Sequence, residues 1–116
     1  MNMNDSVYLS HILNSIEYIE EYIQGMERSD FLSSNLVQDG TIRQIEIIGE
    51  AVKCLSGDLR NKYPQVPWSD IEGMQDKLIY DYFNVDSKAV WYFAKFDVPV
   101  LKDEVLAILG DLETEK

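Results

Sequence analysis

The sequence predicts an all-α protein, a single antiparallel bundle of four to five helices spanning residues 1–116. Three observations lead there. Apolar residues recur at helical spacing through nearly the whole chain, and no stretch keeps the strict apolar–polar alternation of a half-buried strand. Glycine and proline cluster between the periodic stretches, at Gly25, Ser56-Gly57, Pro64 to Pro67 and Pro99. At 116 residues with 46% hydrophobic content, the chain can enclose one core and is too short for two.

The elements follow in order. From Asp5 to about Met26, Leu9, Ile12, Ile16, Ile19, Ile23 and Met26 step by three and four residues, the stripe of a long amphipathic helix. Glu17, Glu20, Glu21, Gln24 and Glu27 hold its wet face, and Gly25 with Ser29-Asp30 suits its end. After a connection containing Phe31, Leu32, Leu36 and Val37, a second helix is expected from about Asp39 to Leu55, with Ile42, Ile45, Ile48, Val52 and Leu55 inward and Ser56-Gly57 closing it. Residues 58–67 read as a connector with at most one short turn, because Pro64 and Pro67 interrupt a continuing helix and set up the next. Trp68, Ile71, Met74, Leu78 and Tyr82 define a third helix that Gly73 weakens in the middle. Asn84-Val85-Asp86 breaks it, with Asp86 placed to N-cap a helix holding Val90, Trp91 and Phe93. Asp97-Val98-Pro99 marks a fresh start or a kink before Leu101, Val105, Ile108, Leu109 and Leu112 complete the pattern.

Composition excludes several function classes. No run of eighteen apolar residues could span a bilayer, so no membrane association is expected. Met1 to Ser6 lacks a basic patch and apolar h-region, so no secretory leader is expected. Cys54 is the only cysteine, which rules out an internal disulfide or thiolate cluster, fits a reducing cytoplasm and reads as a small buried hydrophobe. Net charge is −11, distributed as seven acids against one base in residues 1–40, six against five in 41–80, and eight against four in 81–116. Affinity for nucleic acid comes largely from cations neutralising phosphates, so broad non-specific RNA binding is disfavoured and DNA binding is not expected. Any RNA contact has to be local, and Arg43, Lys53, Arg60, Lys62 and Lys77 are the cations available in the least acidic third.

The most informative segment is Gly73-Met74-Gln75-Asp76-Lys77-Leu78-Ile79-Tyr80-Asp81-Tyr82-Phe83. Together with Ile42-Arg43-Gln44-Ile45-Glu46-Ile47-Ile48-Gly49-Glu50-Ala51, the Tyr63-Pro64 to Pro67-Trp68 connector, Val85-Asp86 and Val90-Trp91, it resembles the HepT-like toxins of the HEPN superfamily over nearly the whole chain. The family motif is Arg, four residues, His, any residue, Tyr. Those positions here are Gln75, Tyr80 and Tyr82, so the frame is kept while the arginine and histidine are replaced. The resemblance implies a homodimer with the motif helices facing across a cleft, and ribonuclease activity that needs neither metal nor cofactor. It also implies a toxin–antitoxin role with an MNT-type nucleotidyltransferase that attaches AMP to the motif tyrosine, here Tyr82.

The replacements bear directly on the chemistry. Metal-free RNA cleavage must deprotonate a ribose 2′-hydroxyl, protonate the leaving oxygen and stabilise charge on the phosphate. Histidine suits the proton steps and an arginine fork suits the charge. Tyr80, with a reference pKa of about 10, is a poor base near neutrality, and Gln75 carries no charge. Each replacement is expected to cost roughly 10²- to 10⁴-fold. The candidate site residues are therefore Gln75, Asp76, Tyr80 and Tyr82. Asp76 either orients a neighbour or is a solvated acid. Arg43, Glu46 and Glu50 share one helix face at i, i+3 and i+7, which either places them beside the motif cleft or pairs them along their own helix. His11, the only histidine, flanks the first stripe as an ordinary surface or helix–helix residue, and Lys77 points away from Gln75. Trp68 and Trp91 read as core or dimer anchors rather than base-stacking platforms. Three functions follow as expectations: an impaired HepT-like component that binds a nucleotidyltransferase, a slow ribonuclease using the motif tyrosines, and a non-catalytic decoy or immunity subunit.

Overall fold

A computed structural model describes residues 3–80 and 85–114, every helical element of which is α apart from one π turn. The elements are α1 (Met3–Ile23), α2 (Arg28–Leu32), α3 (Asn35–Cys54), α4 (Gly57–Lys62), α5 (Trp68–Tyr80), α6 (Ser87–Tyr92), the π turn Phe93–Asp97, and α7 (Val98–Thr114). Four long helices make the bundle, and three short ones occupy its connections. The long ones pack in a chain of pairs, α7 on α1, α1 on α3 and α3 on α5.

Named contacts fix the antiparallel sense. Near the start of α1, Asp5 accepts hydrogen bonds from the backbone N–H and the hydroxyl of Ser56, at 2.8 and 2.7 Å, just past the end of α3. At the other end of α1, the ring of Tyr22 covers Gly40 early in α3. Along α7, Lys102 reaches Glu20 late in α1 at 2.8 Å. The predicted stripes are the core: Leu9, Ile12, Ile16, Ile19, Ile45, Ile48, Val52, Val98 and Val105 are fully buried. Trp68 and Trp91 are core residues, and Trp91 packs its ring 5.4 Å from that of Phe31. Asp5 itself is buried, an inward carboxylate that periodicity alone does not reveal.

Several boundaries differ from the sequence reading, each for a local reason. The connection before α3 contains α2, and α3 begins at Asn35 rather than Asp39 because Ser34 N-caps it with its hydroxyl on the Val37 N–H. Gln38 then donates to the carbonyls of Phe31 and Leu32 at the end of α2, the first of which also accepts from the Ser34 N–H. Ser56-Gly57 does not simply end α3, since Ser56 is the N-cap of α4, which occupies much of the expected connector. Gly25, at φ +75°, is the left-handed stop after α1 that its position suggested. Asp86 caps α6 as expected, accepting from the N–H groups of Lys88 and Ala89.

Around Pro99 there is no fresh start. α6, the π turn and α7 run on, and the Val98 N–H bonds to the carbonyl of Phe93 five residues back. Proline lacks an N–H and crowds the carbonyl four residues earlier, here Lys95. The wider π turn immediately before Pro99 accommodates that misfit without breaking the helix.

Candidate functional site

The motif helix meets the rest of the bundle through α3, and one pair of residues sets the approach. A Cβ on Gly49 would fall inside the side chain of Gln75, so only the absence of a side chain at 49 lets α5 come this close. Gln75 is consequently buried, at 2% exposure. Its Nε2 donates to Glu50 Oε2 at 3.2 Å, while its Oε1 is buried without a partner. Position 75 thus holds a neutral amide in a desolvated slot, hydrogen-bonded to a carboxylate.

Gln75 forms part of the wall of an open groove of about 420 Å³ between α1, α3 and α5. Helix α3 contributes Arg43, Glu46, Ile47, Glu50, Ala51 and Cys54, and α1 contributes Tyr8 and His11. Arg43, Glu46 and Glu50 all line the groove with Gln75, and among the described residues no ion pair joins Arg43 to either glutamate. Arg43 and Glu46 also border a neighbouring hollow of about 500 Å³ that extends to Leu78 and Val85.

Asp76 is drawn away from this chemistry. Its carboxylate pairs with Lys53 Nζ at 2.7 Å, and that hydrogen bond, more than any other cause, raises the lysine's pKa above 10.5. The backbone of Tyr80 closes α5, whereas its side chain and all of Tyr82 lie outside the described residues. Two of the cations considered for RNA contact are committed within the fold, Lys53 to Asp76 and Arg60 to Glu72, and the ammonium of Lys62 lies 5.7 Å from the Tyr63 ring centroid.

His11 and Cys54 were underestimated by sequence reasoning. His11 is exposed, as expected, but it faces the groove that holds Gln75, with its ring 6.4 Å from that of Tyr8. Cys54 is exposed on the groove wall rather than buried, because α3 ends there and the next residue, Leu55, takes the inward place. The usable signal for His11 was its place beside Ile12 on the flank of the α1 stripe; the signal for the Gly49 contact was a glycine in a helix interior.

The groove gathers an imidazole, a guanidinium, two carboxylates and an amide. Arg43 supplies one positive charge against Glu46 and Glu50, so the balance of these three charges does not favour a phosphate. Among the described residues no cluster of histidine, cysteine and acidic side chains could hold a metal ion, and no helix is long and apolar enough to cross a membrane.

Residues 12–108 match the sequence profile of the family described as "Ribonuclease HepT-like". Across all 116 residues the chain is 46% identical to "Gamma-glutamylcyclotransferase and putative RNase" of Methanocaldococcus jannaschii, and it spans about half of that protein, 52% of its length. It is 40% identical over 106 residues to a "Putative RNase" of the same organism, covering 91% of each chain. It is also 40% identical over 102 residues to "Probable ribonuclease HepT" of Thermococcus cleftensis, covering 88% of this chain and 93% of that one. No solved structure matches the chain. The profile spans most of the bundle and the last two relatives match nearly end to end, so this chain belongs to the HepT-like ribonuclease family.

Proposed function

We propose that this chain is the HepT-like component of a cytoplasmic toxin–antitoxin pair in which metal-free RNA cleavage is impaired. What remains is a homodimeric module that binds an MNT-type nucleotidyltransferase. The observation that carries the reading is Gln75: the motif's arginine position holds a buried neutral amide, hydrogen-bonded to Glu50, where cleavage needs a cation. Tyr82 keeps the motif's tyrosine and is the proposed AMP acceptor, because a phenol needs only access and a base supplied by the partner. Incubation with the partner and ATP is expected to add one AMP mass, absent in Tyr82→Phe; an unchanged mass would remove this part of the proposal.

The impairment is tested by cleavage of mixed tRNA and mRNA in EDTA by the natural protein and by Gln75→Arg/Tyr80→His. Each replaced group is worth roughly 10²- to 10⁴-fold, so cutting is expected from the double variant alone. Equal cutting by the natural protein would overturn the reading.

One observation favours a second reading. His11 and Arg43 face the same groove as Gln75, so a proton-transfer group and a cation are present there, contributed by α1 and α3. In that case the natural protein cleaves slowly, and Arg43→Ala and His11→Ala abolish cleavage while Gln75→Ala leaves it unchanged.

A further inference from the structure

On the side of the bundle built by α2, α6 and the π turn, two rings stand out into solvent. Tyr92 is 50% and Phe96 58% exposed, and they stack with centroids 5.7 Å apart and planes inclined by 24°. Large exposed aromatic pairs are costly to leave in water and usually mark a contact surface. Cations flank this pair. The Arg28 guanidinium lies 6.0 Å from the Tyr92 ring centroid, and the Lys95 ammonium lies 5.9 Å from that of the buried Trp91, between the two exposed rings in sequence.

The charge here runs against that of the rest of the molecule. Residues 87–96 contain Lys88 and Lys95 and no acid, in a chain of net charge −11. Among the described residues Arg28, Lys88 and Lys95 form no ion pair, unlike Lys53, Arg60 and Lys102. The acids next to these cations in sequence are partly occupied: Glu27 and Asp30 form the capping box of α2, and Asp86 caps α6. Asp97 lines the neighbouring groove with Met74 and Val100. Phe96 belongs to the π turn, a distortion that recurs at functional sites.

We propose that Tyr92 and Phe96, with Arg28 and Lys95, form a stacking platform for single-stranded RNA. Two aromatic faces accept successive unpaired bases whatever their identity, and the flanking cations meet the backbone phosphates. This deepens the RNA-directed reading of the family by placing substrate contact on α2, α6 and the π turn, away from the groove that holds Gln75. It assigns RNA contact to different cations from the five in the least acidic third of the sequence. It also permits the chain to hold RNA even where cleavage is impaired.

The test is fluorescence anisotropy at low salt with a fluorescein-labelled single-stranded RNA of about twelve nucleotides, and with the same sequence as a duplex. The natural chain is expected to bind the single strand and discriminate against the duplex. Tyr92→Ser and Phe96→Ser should each weaken binding about 5- to 150-fold, whereas Tyr92→Phe/Phe96→Tyr should preserve it. Arg28→Ala/Lys95→Ala should flatten the dependence of log affinity on log salt by about 0.7 per cation. Both exposed positions tolerate polar substitution without disturbing the core, and circular dichroism verifies the fold. No saturable binding by the natural chain, or undiminished binding by the serine variants, overturns the proposal. If the serine variants instead dissociate an oligomer in sedimentation and leave RNA affinity unchanged, the surface serves a second copy and the proposal is wrong. Binding is read on the natural chain and its Tyr92 and Phe96 variants, and cleavage on Gln75→Arg/Tyr80→His, so failure of the platform and failure of the impaired-nuclease reading appear in different assays.

Discussion

Gly49→Ala should destabilise the protein, although alanine is the better helix former. Measured by propensity alone, the substitution in the middle of α3 would stabilise by roughly 0.5–1 kcal/mol. The structure opposes this, because the added methyl would overlap Gln75 Cβ and Cγ, atoms tied to the α5 backbone rather than the far end of a mobile side chain. Relief requires moving α5 off α3, which also breaks the Gln75–Glu50 hydrogen bond. Overpacking of this kind costs roughly 1–3 kcal/mol, so after the propensity gain the net loss should be about 1–2 kcal/mol. With a urea slope of about 1–3 kcal/mol/M, the midpoint should fall by about 0.3–2 M, followed by circular dichroism. A second substitution isolates the cause: Gln75→Gly removes the obstructing atoms, so in a double-mutant cycle Gly49→Ala should become neutral or stabilising on that background, with coupling in the range of about 0.5–3 kcal/mol. A Gly49→Ala protein more stable than the natural chain, with no coupling to position 75, would refute the close approach of α3 and α5.

Asp5→Ala leaves the half-buried Ser56 N–H and hydroxyl without their acceptor and should cost about 1–3 kcal/mol by the same denaturation. Cys54 should react with a thiol reagent under native conditions to the same stoichiometry as in denaturant; protection in the native state would contradict its exposure. The ion pairs of Lys53 with Asp76 and Lys102 with Glu20 raise both lysine pKa values above 10.5, each chiefly through the side-chain hydrogen bond. Their contribution to stability is therefore fully present below pH 10.5 and lost as pH rises through the shifted values. Lys53→Met/Lys102→Met should flatten the stability profile there without altering it near neutrality by more than the small amount typical of exposed pairs.

Much of this molecule was legible in its sequence. The inward stripes of α1, α3 and α7, the Gly25 stop and the Asp86 cap follow from periodicity and terminal chemistry, which are local rules. The family was equally legible, because a match to a family depends on residue order and not on side-chain position. Local rules fail where the deciding neighbour is distant in the chain. Asp5 is buried because Ser56 supplies two donors, fifty-one residues later. Gln75 is buried because Gly49 vacates the space; its spacing from Ile71 and Leu78 is that of the inward stripe, but its polarity marks it as an outward residue. Asp76 is paired because Lys53 lies across the α3–α5 seam, and His11 joins the groove because α1 lies beside α3. The exposed Tyr92 and Phe96 pair could not be told from core aromatics by composition, since which face of a helical segment stays wet depends on what packs against the other. The sequence by itself determined which residues form helices and which face of each long helix is apolar, through hydrogen bonding and hydrophobicity within a few turns. Only the tertiary structure decided which polar side chains share a groove, because their meeting depends on how closely two helix backbones can approach.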